Sequence, residues 1–480
     1  MGISYARPPL KDLRWRAPKP AILRAAVFEA TRFGANCYQA PPTPFGPFSK
    51  EFLINGPVSE DCLFLNIWTA GVHHDLKPVY VFIHGGGFGS GSASLPIYDG
   101  RDLASRGVVV VTLNYRLGVF GYLAHPQLTR ETGGETSGNY GIQDIIAALQ
   151  WVQQNISSFG GDPHLVTISG QSAGAAAVQY LLMSKSAQGL FARAVAESGS
   201  GMGISPPTLR EAEGYGVQFA ASANATELKS LRAMGAAELQ ALATVPPPSE
   251  GASARPTIRF APNIDGEVIA ATPDGNAEPL SKTPLLTGYN TDEGNIFGSQ
   301  TVATAAFERD VRKRYGEFAD RALALYPHAT DLQSTESWAL IARDRYLASM
   351  IIFSEQRAKV GQTVYDYVFD HPYPIPDSAR FKAFHTAEVP YVFGALHQEV
   401  RTFSVLDHQV STQLQGYWIN FMRDGNPNTK GSTAWQPAHA NSGIAMELGD
   451  HAGSRAAVSS PARLDFFRDY VAHGNTLGLF

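Results

Sequence analysis

The stretch Thr-Ile-Ser-Gly-Gln-Ser-Ala-Gly at residues 167–174 decides the fold of this 480-residue chain. It places Ser172 between Gly170 and Gly174 at the end of an apolar run that is typical of a buried strand, and the alanine-rich residues 175–182 favour a helix. A strand, Gly-x-Ser-x-Gly and a helix in this order form the pattern of a nucleophile elbow. The glycines are required because the turn leaves no room for side chains beside the serine. Alone, the pattern also fits a glycine-bracketed surface turn, so it needs partners elsewhere in the chain.

A second glycine-rich segment offers such a partner. Residues 79–83 form a strand-like apolar run that leads into His-Gly-Gly-Gly-Phe at residues 84–88. Glycines at the carboxyl end of a buried strand let backbone N–H groups point into the cleft where open α/β sheets bind their ligands. A phosphate-binding loop is the alternative, but no Lys-Ser or Lys-Thr pair follows. We expect His84 to have a structural role at the strand end.

Composition and charge narrow the class of protein. The net charge of −5 provides no basic surface for nucleic acid, and apolar runs such as residues 108–113 are too short to span a bilayer. The proline-rich stretches 41–47 and 246–256 are short enough to be loops. We therefore predict one domain over residues 1–480 and no nucleic-acid partner or membrane span, while the oligomeric state stays open.

Strand-like and helical patterns alternate along the chain. Helical periodicity of apolar residues predicts a helix over residues 142–156 that can cover a sheet. Strands rich in Val and Ile with helices between them imply a mostly parallel sheet covered on both faces, as in an α/β-hydrolase-like fold. The predicted strands are residues 79–84, 108–114, 165–169, 193–197, 284–287 and 363–369.

A serine nucleophile needs a histidine base and a carboxylate that orients it, and on this fold the chain order is serine, acid, histidine. The motif Gly-Tyr-Asn-Thr-Asp-Glu-Gly at residues 288–294 follows a predicted strand and offers Asp292 and Glu293, between which the residues alone do not decide. Among the histidines His385 has the best local case, because it lies in a loop-like segment after a strand. The histidines after Ser172 are His328, His371, His385, His397, His408, His439, His451 and His473.

Many ordered blocks of the chain resemble the type B carboxylesterases, the family that includes the cholinesterases. The resemblance covers residues 2 to about 467 and implies an α/β-hydrolase fold whose helical insertions form the walls of an active-site gorge. The blocks are GISYARPP at 2–9, SEDCLFLNIW at 59–68, HGGGF at 84–88, NYRLGVFG at 114–121, GNYGIQD at 138–144, FGGDP at 159–163, PNIDG at 262–266, GYNTDEG at 288–294, FHTAEVPYVFG at 384–394 and YWINFMRDGNPN at 417–428.

The resemblance assigns roles to individual residues. It implies that Ser172 is the nucleophile, Glu293 the acid and His385 the base. It also implies that an oxyanion hole is formed by three backbone N–H groups, those of Gly86, Gly87 and Ala173. 

Two positions near the serine depart from the family pattern. The family usually has Glu before the nucleophile, where this chain has Gln171, a neutral isostere that should cost the chemistry little. A serine often found five residues after the nucleophile is Ala177 here, so one support near the acid is absent or replaced by water.

The two cysteines, Cys37 and Cys62, coincide with the first disulfide of the family. The resemblance therefore implies a bridge between them, although two free thiols would be the default in a cytosolic protein. A bridge slightly favours a secreted or periplasmic location, whereas the lack of a signal peptide at the first residue leaves the cytoplasm open. The resemblance also implies an ion pair between Glu60 and Arg14.

The predicted function is hydrolysis of small-molecule carboxylic esters through an acyl-enzyme, with no metal or organic cofactor required. The resemblance also implies that choline esters are disfavoured, because cholinesterases hold the cation on a tryptophan ring in the segment that corresponds to residues 37–62, and this chain has no tryptophan there. The alternative that the resemblance offers is a non-catalytic adhesion or binding module on the same scaffold, but such members of the family have lost triad residues and this chain keeps all three. Amide or lactone hydrolysis would use the same groups and stays an alternative.

Overall fold

One large β-sheet organises the protein. The computed structural model describes residues 1–480 except 23–25, 72–74, 135, 200–204, 226, 245–259, 273–281, 298–300, 398–400 and 479–480. In the described part of the chain the strands are β1 (Ile3–Ser4), β2 (Asn36–Cys37), β3 (Val58–Ser59), β4 (Phe64–Trp68), β5 (Lys77–Ile83), β6 (Val109–Leu113), β7 (Gly161–Gln171), β8 (Arg193–Glu197), β9 (Leu285–Asn290), β10 (Val364–Asp370), β11 (Ile444–Gly449) and β12 (Gly453–Ala456).

The α-helices of the described residues connect and cover these strands. They are α1 (Arg101–Ser105), α2 (Gly118–Tyr122), α3 (Pro126–Glu131), α4 (Tyr140–Asn155), α5 (Ala173–Leu182), α6 (Leu209–Ser222), α7 (Leu228–Ala233), α8 (Ala236–Thr244), α9 (Thr304–Tyr315), α10 (Ala319–Leu325), α11 (Asp331–Lys359), α12 (Ser378–Phe381), α13 (Val389–Phe393), α14 (Val405–Asp424) and α15 (Pro461–Ala472).

Ten of the strands form a sheet in the order β1-β4-β6-β5-β7-β8-β9-β10-β11-β12. The strands from β6 to β11 in this order pair in parallel, whereas β1, β4 and β12 pair antiparallel at the edges. The carboxyl ends of β5, β7, β8, β9 and β10 therefore meet along one edge. Loops that leave these ends are brought together there, although they lie far apart in sequence.

Both faces of the sheet are buried, as β5 illustrates. Val79, Val81 and Ile83 belong to the apolar cluster on one face, and the alternate residues Tyr80 and Phe82 belong to the cluster on the other. This alternation follows from the two-residue period of a strand. The prediction of a mostly parallel sheet covered on both faces is confirmed.

A buried ion pair fixes α4 to the loop after β6. The guanidinium of Arg116 donates to both carboxylate oxygens of Asp144 at 2.7 Å, and the exposed fractions of the two side chains are 3% and 0%. The backbone N–H of Arg116 also donates to Asp144 at 3.1 Å. Because each charge has its partner, neither is left unpaired in the core.

The predicted elements are present with modest shifts at their ends. The six predicted strands correspond to β5, β6, β7, β8, β9 and β10, and the predicted helix 142–156 is α4. The prediction of a single domain with gorge walls stays a prediction. No helix among the described residues is long and apolar enough to cross a membrane.

Candidate active site

The motif serine lies at the sharp turn between β7 and α5. Ser172 has φ 58° and ψ −122°, a backbone conformation with positive φ that few side chains adopt. A Cβ on Gly170 would come within 2.3 Å of the carbonyl oxygen of Gly174, and one on Gly174 within 2.0 Å of that of Ile83. Both positions therefore require glycine because another part of the backbone lies too close for a side chain, as expected from the sequence. The side chain is deeper than a surface turn would place it, since Ser172 is 9% exposed.

The glycine-rich segment after β5 packs directly against this turn. A Cβ on Gly85 would lie 2.8 Å from the carbonyl oxygen of Gln171 and 3.0 Å from the Cβ of Ser172. Any larger residue at this position would push the two segments apart. The missing side chain thus brings the ends of β5 and β7 into contact beside the serine.

Three backbone donors of this region are open. Gly86 and Gly87 have φ values of 111° and 62°, and a Cβ on Gly86 would come within 2.1 Å of the carbonyl oxygen of Ser90. Within the described part of the chain, the N–H groups of Gly86, Gly87 and Ala173 donate no hydrogen bond to another protein group. Donors in this state are available to an oxygen that develops negative charge.

His84 has a packing role, which joins the glycine-rich segment to the loop after β6. Its ring stacks on Tyr115 at a centroid distance of 4.5 Å, and its Nδ1 lies 2.8 Å from the carbonyl oxygen of Gly85. Burial lowers the pKa of His84 to about 4, so the ring is neutral near pH 7.

Glu293 and His385 form the second half of the candidate site. Nδ1 of His385 is hydrogen-bonded to Oε2 of Glu293. The other carboxylate oxygen of Glu293 accepts from the Ser198 hydroxyl at 2.6 Å and from the Asn290 backbone N–H at 2.7 Å. Burial alone would lower the pKa of His385, but the charge and the hydrogen bond of Glu293, together with the charge of Glu388, outweigh burial, and the net shift is upward. Glu293 thus favours the protonated imidazole, and its own position is fixed by two donors.

Asp292, the other carboxylate in the motif, has different partners. It accepts from the Thr291 hydroxyl at 2.7 Å and from the Asn295 side-chain amide at 3.4 Å. Its carboxylate binds these side chains and not His385, and a 3₁₀ helix begins at Glu293, directly after it.

A further buried carboxylate lies behind this pair and was missed by sequence reasoning. Glu388 is 0% exposed, lies 3.3 Å from the Ser198 hydroxyl and accepts from the Asn290 side-chain amide at 2.5 Å. Burial, followed by the charge of Glu293, raises the pKa of Glu388 to about 7. The available signal was the position of Glu388 three residues after His385 in a quoted block.

All eight histidines that follow Ser172 lie in the described part of the chain. Among them only His385 has a hydrogen bond to the elbow or to Glu293. His371, for comparison, lies between Asp407 and Asp450. The geometry therefore separates His385 from the other candidates that spacing alone had left open.

The loop closed by the cysteines contacts the backbone three residues after the glycine-rich segment 84–88. Cys37 and Cys62 form a disulfide bond, as the family resemblance implied. Arg14 donates to both carboxylate oxygens of Glu60, so the implied ion pair is present. Two residues beyond Cys37, the side chain of Gln39 exchanges two hydrogen bonds with the backbone of Gly91, at 2.8 and 2.9 Å.

Comparison with known proteins agrees with this architecture. The family model described as the carboxylesterase family matches residues 1–466. The chain is similar to the fumonisin B1 esterase of Sphingopyxis macrogoltabida, with 35% identity over 96% of this chain and 85% of that protein. It is also similar to the para-nitrobenzyl esterase of Bacillus subtilis strain 168, with 34% identity over 91% of this chain and 88% of that protein. The acetylcholinesterase of Bungarus fasciatus is 32% identical over 91% of this chain and 76% of that protein.

A solved structure of a PNB esterase superposes with a TM-score of 0.80 at 32% identity, covering 97% of this chain and 95% of that one. The α/β-hydrolase fold predicted from the sequence is confirmed by this match. With a family match over nearly the whole chain and named relatives that are esterases, the chain belongs to the carboxylesterase family and is a serine hydrolase of carboxylic esters.

Proposed function

We propose that the protein cleaves small-molecule carboxylic esters through an acyl-enzyme on Ser172, with His385 as the base and Glu293 as the acid. The observation that carries this proposal is the contact of His385 with both Glu293 and the elbow residue Gln171, which spans the gap between the acid and the serine turn. The open N–H groups of Gly86, Gly87 and Ala173 support it further.

In the first half of the reaction, Nε2 of His385 takes the hydroxyl proton as Oγ of Ser172 attacks the ester carbonyl carbon. The carbonyl oxygen gains negative charge, which the three backbone N–H groups stabilise. The C–O bond to the alcohol then breaks, and the alcohol leaves with the proton from His385. Water repeats the sequence on the acyl-enzyme, which releases the acid and returns the proton to Ser172.

Glu293 acts on the base throughout this cycle. By accepting a hydrogen bond from Nδ1–H of His385 it fixes the tautomer that leaves the lone pair on Nε2, and its charge stabilises the imidazolium that forms during attack. The donors Ser198 and Asn290 hold the carboxylate in place. Because both lie at ends of central strands, the sheet positions the acid.

The names of the relatives suggest the panel of substrates to test. They include esterases of fumonisin B1 and of para-nitrobenzyl esters and an acetylcholinesterase. A panel of p-nitrophenyl esters of graded chain length, a bulky natural ester, acetylthiocholine, an anilide and a lactone separates these classes. We expect hydrolysis of neutral esters to exceed that of the choline ester and of the amide.

Ser172→Ala is expected to reduce ester turnover by several orders of magnitude, because it removes the nucleophile. Ser157, which is exposed on the 3₁₀ turn Ile156–Phe159, provides the matched control, and Ser157→Ala should retain full activity. A fluorophosphonate probe should label Ser172 alone, as located by peptide mass spectrometry. Substantial turnover by the Ser172 variant, or labelling of another serine, would refute the proposal.

A further inference from the structure

Gln171 contacts the nitrogen of His385 that the reaction uses. This residue is the last of β7, directly precedes Ser172 and is 2% exposed. Its Nε2 lies 3.2 Å from Nε2 of His385, while its Oε1 faces Gly85, where a Cβ would come within 2.9 Å of it. Within the described part of the chain, Gln171 and not Ser172 makes the hydrogen bond to Nε2 of His385.

The chemistry of the two groups decides when this contact is favourable. An amide nitrogen is only a donor, and a neutral imidazole has one N–H and one nitrogen with a lone pair. Because Nδ1 of His385 binds the Glu293 carboxylate, the proton of the neutral ring lies on Nδ1 and the lone pair on Nε2. The side-chain N–H of Gln171 can therefore donate to Nε2 of the neutral ring. When the ring is protonated, Nε2 also carries a hydrogen, and two N–H donors face each other without an acceptor.

We propose that Gln171 holds His385 in its neutral, Nδ1-protonated form between turnovers and yields Nε2 to Ser172 when an ester binds, an inference that rests on the proposed function. Gln171 is thus a positioning residue whose neutral amide opposes protonation of the base. A glutamate in its place could only accept, and would favour the imidazolium. The neutral glutamine at this position therefore helps to set the pH below which the free enzyme loses activity.

Other charged groups around His385 act in the opposite direction. Glu293 binds Nδ1, and Glu388, on the same segment three residues later, adds a second carboxylate; both favour protonation of the ring. Glu197, fully buried at the end of β8, interacts in turn with Glu388. Of the two side chains that are hydrogen-bonded to the ring in the described part of the chain, Glu293 is charged, and Gln171 is neutral and counters this cluster of carboxylates.

The test compares the pH dependence of Gln171→Glu and Gln171→Met with that of the parent enzyme. Two quantities are measured from pH 4.5 to 9: kcat/KM for p-nitrophenyl acetate and the rate at which a fluorophosphonate labels Ser172. Both report protonation of the base in the free enzyme. The acid limb is the low-pH part of each profile, where protonation of His385 abolishes activity. We expect its midpoint to move up by about one pH unit or more in the Glu variant, because an adjacent carboxylate raises the pKa of a histidine. In the Met variant, which loses only the donor, we expect a rise of about half a unit.

Gln150→Glu, an exposed position on α4, controls for added charge and should leave the acid limb in place. The Met variant carries no charge and keeps the test valid where the Glu variant folds poorly. If the acid limbs of both variants coincide with that of the parent enzyme, or move to lower pH, the inference is wrong. A parent enzyme without ester turnover or without labelling of Ser172 would instead overturn the proposed function.

Discussion

At the scale of single residues, adjacent carboxylates have separate roles because their partners differ. Glu293 binds Nδ1 of His385, whereas Asp292 binds Thr291 and Asn295. We expect Glu293→Gln to lower kcat by about 10²–10⁴-fold, because an amide can hold the wrong tautomer and cannot stabilise the imidazolium. Asp292→Asn should change kcat only a few-fold.

Steady-state kinetics of both variants, measured at a pH above the titration of His385, provides the comparison. Thermal unfolding of each variant shows whether a loss of turnover reflects a loss of fold. If Asp292→Asn were the more damaging change in kcat, the acid role would pass to Asp292.

The residues alone could not complete this site, for a physical reason. Local sequence left Asp292 and Glu293 equivalent, and only the family resemblance favoured Glu293. Ser198 and Asn290 lie at the ends of two neighbouring strands, and Glu388 follows His385 at the start of α13. Their convergence depends on strand order in the sheet, which spacing along the chain does not encode.

At the scale of elements, boundaries followed from sequence where periodicity was clear. The apolar stripe predicted α4 to within two residues at its start and one at its end, and the five-residue strand β8 was predicted with its observed bounds. β7 is longer than predicted at its start because Gly161 pairs with Lys77 of β5, and the polar residues that follow form an irregularity before pairing resumes at Val166. The pairing of Gly161 with β5 thus overrides local propensity at this end of the strand.

The disulfide loop is an element whose loss should affect stability more than chemistry. The bond between Cys37 and Cys62 spans 25 residues, for which chain-entropy reasoning gives at most about 3.5 kcal/mol. The double variant Cys37→Ala, Cys62→Ala is expected to unfold at a lower temperature, while kcat changes modestly because Gln39 still binds Gly91.

Thiol titration of the denatured, unreduced parent should detect no free thiol, and calorimetry of the double variant gives the change in Tm. Two titratable thiols in the parent, or an unchanged Tm in the variant, would contradict this role of the loop.

At the scale of the whole molecule, ion pairs join elements that are distant in sequence around the sheet. His371 follows β10 and is hydrogen-bonded to Asp407 in the first turn of α14 and to Asp450 in the turn between β11 and β12. Burial disfavours the charge on His371, but the two carboxylates outweigh it and raise its pKa. The pKa of Asp407 is held well below its usual range: burial opposes this shift, and hydrogen bonds from His371 and other donors cause it.

These shifts determine the sign of a pH effect on stability. A histidine whose pKa is raised on folding contributes stability fully below its unfolded pKa of about 6.5, and this contribution is lost as pH rises through the folded pKa. Each unit of difference between the folded and unfolded pKa corresponds to about 1.4 kcal/mol.

We therefore expect His371→Gln to lower Tm most near pH 6 and progressively less toward pH 9, where the neutral ring and the amide offer similar hydrogen bonds. Thermal melts of parent and variant at one scan rate test this, with His439→Gln, at an exposed position, as the control. A Tm difference that stays constant or widens as pH rises would show that the charge of His371 does not hold these elements together.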